Sequence, residues 1–200
     1  MTTGTFDQIT QDDLRAAGSL KWTNFPDMIG AFVAEMDFGL APAINSAVKD
    51  ALDLGVTGYL PEKLAKDLSQ ATARWYSDSY GWEISPERVH HVPDVIAAFE
   101  LAIEHFTTPG SAIIVPTPAY MPFLLVPPMH DRRVIEVPSI EVDGRWVMDL
   151  DAVAQAFRDG GEMLVLCNPH NPLGTVATRD ELLAIASVAV SYTHLRAHET

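Results

Sequence analysis

Apolar residues recur along this chain in two rhythms, one near 3.6 residues and one in short unbroken runs, and each predicts a different element. Over residues 42–54, Ile44, Val48, Ala51 and Leu52 share a face. Pro42 suits a first turn and Gly55 follows as a stop, so the spacing predicts a helix there. Pro61 opens a second amphipathic helix, with Leu64, Leu68, Ala71 and Trp75 on one stripe, ending before Gly81. Residues 89–93 read as a short strand running into a helix from Asp94 to Ile103. That helix is apolar around most of its circumference, which predicts burial. Residues 112–115, 133–137 and 163–166 read as further strands, each bounded by turn formers. Asp143-Gly144 predicts a hairpin before residues 145–148. A helix over 149–158 is closed by Gly160-Gly161, and Thr178-Arg179-Asp180-Glu181 is a capping box opening an apolar helix through Val190. Residues 1–40 show no strong periodicity. Helices alternating with strands predict an α/β fold: a mainly parallel sheet with flanking helices.

The chemistry-bearing residues cluster where predicted strands end. After Leu166 the chain reads Cys-Asn-Pro-His-Asn-Pro-Leu-Gly-Thr. Each proline removes a donor and biases the asparagine before it away from the helical region. Two asparagines are thereby held extended at the carboxyl end of a buried strand, where open α/β sheets bind ligands. The strand at 112–115 ends in a second proline-stiffened loop, Pro116-Thr117-Pro118-Ala119-Tyr120-Met121-Pro122-Phe123. The buried helix after Asp94 starts with unpaired N–H groups and a partial positive charge, a ready anion site.

Composition narrows the function. A net charge of −14 argues against nucleic acid and anionic membrane partners. The single cysteine, Cys167, excludes an intrachain disulfide and fits a reducing compartment. No apolar run approaches membrane-spanning length, and residues 1–15 are too polar and acidic for a signal peptide, so a cytoplasmic protein is expected. His90, His91, His105 and His130 lack ligand spacing with carboxylates or cysteines, so no metal site is expected. There is no Gly-x-Ser-x-Gly elbow.

Asn-Pro-His-Asn-Pro-Leu-Gly resembles the signature loop of the fold-type I pyridoxal-phosphate enzymes, the aminotransferase class I/II superfamily. Ala31-Phe32-Val33-Ala34-Glu35-Met36-Asp37-Phe38 resembles a segment of its MalY/PatB-type cystathionine β-lyase (C–S lyase) branch, with Glu35 where that branch usually has Asp. In relatives this segment leaves the small domain and borders the substrate side of the pocket. The resemblance implies pyridoxal 5'-phosphate as cofactor and gives each loop a role. Asn171 would donate its amide to the phenolic oxygen of the ring, and Tyr120 would lie flat against that ring. The amides of Val95 and Ile96 would hold the phosphate, and Tyr59 would reach across a homodimer to the partner's phosphate. Relatives generally carry Gly, Ser or Thr where this chain has Asp94, a carboxylate that would repel a phosphate unless turned to cap the helix. The expectation is that it does cap, with the phosphate on adjacent amides.

The implied architecture is an N-terminal arm or small-domain segment over residues 1–40 and the N-terminal half of a cofactor-binding large domain over 41–190. Residues 191–200 carry two of the seven histidines, lack a strand pattern and read as a non-native tail. The lysines are Lys21, Lys49, Lys63 and Lys66, all before the anion site, whereas relatives place their Schiff-base lysine well after the signature loop. No catalytic residue is therefore assigned within this chain, which is expected to be inactive alone. For the parent protein the resemblance implies β-elimination from a sulfur-containing amino acid. The alternatives are a class I/II aminotransferase and a non-catalytic aminotransferase-like binding domain.

Overall fold

The computed structural model describes residues 7–196, which fall into two compact units divided within one helix, between Trp75 and Tyr76.

In the first unit, helix α1 (Gln11–Ala17) opens on a capping box in which Thr10 accepts from the Asp13 amide and Asp13 bonds back to the Thr10 amide. A single turn, α2 (Leu20–Thr23), buries Trp22. Lys21 and Trp22 then clamp the segment containing Glu35. The Trp22 indole donates to Asp37 at 2.8 Å, the Lys21 ammonium reaches the other Asp37 oxygen at 2.7 Å, and the Lys21 amide donates to Glu35 at 2.9 Å. These donors hold the Asp37 carboxyl below its usual value, the Lys21 bond contributing most. Helix α3 (Pro42–Asp53) and helix α4 (Glu62–Tyr80) follow the predicted boundaries. Their apolar stripes, however, lie largely open: Ile44, Val48, Leu52, Leu64, Leu68 and Trp75 are all exposed.

The second unit is built on a three-stranded parallel sheet whose strands lie in the order Arg133–Pro138 (β2), Ala112–Thr117 (β1), Gly161–Leu164 (β5). Its elements are α5 (Val95–Phe106), β1 (Ala112–Thr117), α6 (Pro122–Met129), β2 (Arg133–Pro138), β3 (Ile140–Val142), β4 (Arg145–Val147), α7 (Leu150–Arg158), β5 (Gly161–Leu164) and α8 (Arg179–Arg196). Strand β1 is central and covered on both faces, and its alternation divides the core. Ile113 and Val115 pack with Ile103 of α5 and Val126 of α6, whereas Ile114 packs on the other face with Val137, Val153 and Ala156. Hairpin β3–β4 turns through Asp143 and Gly144, as the sequence predicts.

Three expectations change. Residues 89–93 form no strand and pair in neither sheet, because a strand exists only as part of a ladder and these residues meet none. The loop after β1 is shorter than its prolines suggest. Helix α6 starts at Pro122, where a missing N–H costs nothing, and tolerates Pro127 and Pro128 in its second half. Helix α8 does not stop at Val190 but continues to Arg196.

Candidate functional site

The site lies where β1, β5 and the start of α5 meet. Beyond β5, the Val165 amide still donates to Ile114, after which the chain turns into the loop of residues 167–178. That loop is closed on itself: the Gly174 amide bonds to His170 O at 2.7 Å and the His170 amide to Thr175 O at 2.8 Å. Gly174 has φ +69°, which L side chains rarely adopt. The bonds Thr117–Pro118, Asn168–Pro169 and Asn171–Pro172 are cis.

The loop treats its two asparagines differently. Asn168 accepts the Ala177 amide at 2.9 Å and so ties the two ends together. Asn171 is exposed and lines a small cleft with Pro116, Ala119, Phe123, Val165 and His170. Its amide therefore stays available to a ligand. His170 is packed into the loop with Nδ1 buried and unpaired among the described residues, and burial pushes its imidazole below the usual value.

Tyr120 follows Ala119, a cleft residue, in the loop after β1. Its ring is part exposed and meets Phe123 edge-on at 5.6 Å, and Phe123 in turn meets Phe99 of α5 edge-on at 5.5 Å. This aromatic ladder fixes the Tyr120 loop to the helix. Ile96 and Phe99 pack against the same cluster as Ala119, Phe123 and Val165. Phe123 is the link between these positions: it meets Tyr120 edge-on, lines the cleft of Asn171, and packs on the same core cluster as Ile96. Val95 is exposed at the first position of α5. Tyr59, in the first unit, is fully exposed.

Asp94 caps α5, as its position predicts. One carboxylate oxygen accepts from the Ile96 amide at 2.9 Å and the Ala97 amide at 2.8 Å. The Val95 amide is not among those it takes.

Two contributions had no signal in the sequence. Met148, beyond the hairpin, lines the same small cleft as Asn171. Arg145 in β4 anchors the loop from outside, bonding both the Glu181 carboxylate and the Val176 carbonyl. Glu181 also accepts the Thr178 amide and completes the box that opens α8. Beside these residues runs a larger, mostly apolar cleft of about 310 Å³.

The Arg145 guanidinium, with the Thr178 amide, holds the Glu181 carboxyl well down, from 4.5 to about 2. Because the folded value lies below the unfolded one, the stabilisation is complete above pH 4.5 and is lost as pH falls toward 2. Glu181→Gln is expected to cost about 1 kcal/mol at pH 7, discounted for partial exposure of the pair. In urea unfolding of both chains, most of that difference should vanish by about pH 3.

Residues 27–196 match the family described as aminotransferase class I and II. The cystathionine beta-lyase of Corynebacterium glutamicum is 42% identical over 182 residues, covering 90% of this chain and 47% of its own length. A solved structure from Corynebacterium diphtheriae, assigned as a PLP-dependent beta-cystathionase, superposes with TM-score 0.81 at 37% identity, covering 92% of this chain and 47% of that one. Cystalysin from Treponema denticola, whose crystal structure contains pyridoxal 5'-phosphate, gives TM-score 0.77 at 28% identity over 92% of this chain and 48% of its own. The chain spans about half the length of the relatives it matches. With the match running through both strand-end loops and the start of α5, the chain belongs to the aminotransferase class I and II family.

Proposed function

We propose that the protein to which this chain belongs is a pyridoxal 5'-phosphate-dependent C–S β-lyase, working as a homodimer on a sulfur-containing amino acid. One observation supports this reading: Phe123, just beyond the carboxyl end of β1, meets Tyr120, shares the cleft of Asn171 and packs on the core cluster that also takes Ile96. The ring end of the cofactor fits the groups present. Tyr120 offers a part-exposed aromatic face backed by Phe123, and Asn171 offers an uncommitted amide that can donate to a phenolic oxygen at any working pH. The phosphate end fits with one complication. Of the two amides assigned to it, Ile96 is already engaged by Asp94, and only Val95 stands outside the cap. Tyr59 would serve the partner subunit's phosphate.

Bound there, the cofactor would supply an electron sink that makes the Cα proton of an amino acid removable. The residues of this chain would hold and orient it, with Tyr120 keeping water from one ring face and Asn171 fixing the ring's rotation. The proton-transfer base lies elsewhere, since all four lysines precede α5. The 200-residue chain is therefore proposed to be inert alone. A cytoplasmic setting suits this reading; no helix among the described residues is long and apolar enough to cross a membrane.

Similarity to cystathionine β-lyases favours elimination over transamination. The full-length parent, incubated with cystathionine, is expected to release ammonia and a keto acid without any added acceptor. Product forming only when a keto-acid acceptor is present would make it an aminotransferase. No product under either condition would leave the binding-domain reading.

A further inference from the structure

We propose that Asp94 is a built-in competitor for the cofactor phosphate, seated on the anion cradle at the start of α5. This inference rests on the cofactor reading above and goes beyond it. Each backbone N–H carries one hydrogen, and those of Ile96 and Ala97 both point at a single Asp94 oxygen, at 2.9 and 2.8 Å. A phosphate cannot take the Ile96 amide while the carboxylate holds it. The helix start favours an anion through its partial positive charge, but that charge is already partly answered by Asp94. Two anions side by side at one helix end would also repel. Phosphate entry therefore requires the Asp94 side chain to swing off the amides, and the cap it gives up is deducted from the affinity. The neighbours leave room for such a swing, because Val95 and the rim around it are exposed. Nothing in the ring-contacting half of the site shares this conflict, so the penalty falls on the phosphate alone.

The test uses the full-length parent, stripped of cofactor, as wild type, Asp94→Gly and Asp94→Asn. Glycine is well tolerated at a helix N-cap and asparagine keeps a neutral cap, so both variants should fold, as circular dichroism will check. Dissociation constants are read by fluorescence titration with pyridoxal 5'-phosphate and with pyridoxal. Asp94→Gly is expected to bind pyridoxal 5'-phosphate about tenfold more tightly than wild type, and Asp94→Asn by an intermediate factor. Pyridoxal, which lacks the phosphate, should bind all three alike. A gain shared equally by pyridoxal, or unchanged or weaker binding of pyridoxal 5'-phosphate by both variants, would overturn the proposal and leave Asp94 as a simple cap. Should no form bind either ligand, the cofactor reading itself has failed, and inorganic phosphate decides the question for Asp94. Amide shifts of Ile96 and Ala97 on adding phosphate to Asp94→Gly, but not to wild type, would support competition; no shift in either would overturn it.

Discussion

Ile114→Ala is expected to lower the unfolding free energy by about 3–4 kcal/mol, the middle of the range for a buried aliphatic truncation. Ile114 sits on the central strand with no exposed surface, and it supplies the middle of the core between the sheet, α7 and α8. Its end is fitted to a glycine. A Cβ built on Gly161 would lie 2.5 Å from Ile114 Cδ1 and 2.9 Å from the Ala156 carbonyl oxygen. The absence of a side chain at Gly161 is thus what lets Ile114 lie flat across β5. Removing the isoleucine leaves a cavity whose floor is backbone and whose walls are strand and helix, so little can collapse into it. Urea unfolding followed by circular dichroism measures the loss. A change under 1 kcal/mol would mean that the two-sided packing described for β1 is wrong.

Arg132→Met is expected to cost about 2–4 kcal/mol, because it leaves the buried Thr107 carbonyl without its donor and removes three further bonds of the guanidinium. Arg132 is 8% exposed and closes the carboxyl end of α5. Its guanidinium donates to the Thr107 carbonyl at 2.8 Å, the Thr107 hydroxyl at 3.1 Å, the Ile103 carbonyl at 3.4 Å and the His130 carbonyl. The Ile103 carbonyl also accepts the Thr107 amide and hydroxyl, so the acceptor that depends on Arg132 is the Thr107 carbonyl, and the cation complements the partial negative charge of this helix end. Methionine matches the length of the stem but brings no donor. Hydrogen exchange at the last turn of α5 should rise more than exchange in β1, which separates a lost cap from a general loosening. Arg132→Lys should recover only part of the loss, since an ammonium cannot span the same fork of acceptors.

How far these features could be read beforehand depends on how local their causes are. Helix α5 announced itself through Asp94 and the apolar run behind it, and α7 and α8 through their caps. Helix α1 carries only half of such a signal: Thr10-Gln-Asp-Asp13 has the spacing of a capping box, but no apolar stripe follows it. Helix α6 was hidden by its own residues. Pro127 and Pro128 argue against a helix, yet Val126 and Pro127 are buried in the core, and burial outweighs the lost backbone donors over eight residues. Residues 89–93 misled in the other direction, since β-type composition needs a neighbouring strand to become a strand.

The sequence by itself determined the alternating elements, the two proline-stiffened loops after β1 and β5, and the family to which they point. Periodicity, capping and turn chemistry act over a few residues, so they survive without coordinates. Only the tertiary structure decided that Asn168 is spent within its loop while the Asn171 side chain has no partner among the described residues, that the Ile96 amide is claimed by Asp94, and that Arg145 holds the signature loop from β4. Whether a polar group is available is set by its partners in space. Arg145 lies 36 residues from Glu181, a separation no local pattern can bridge.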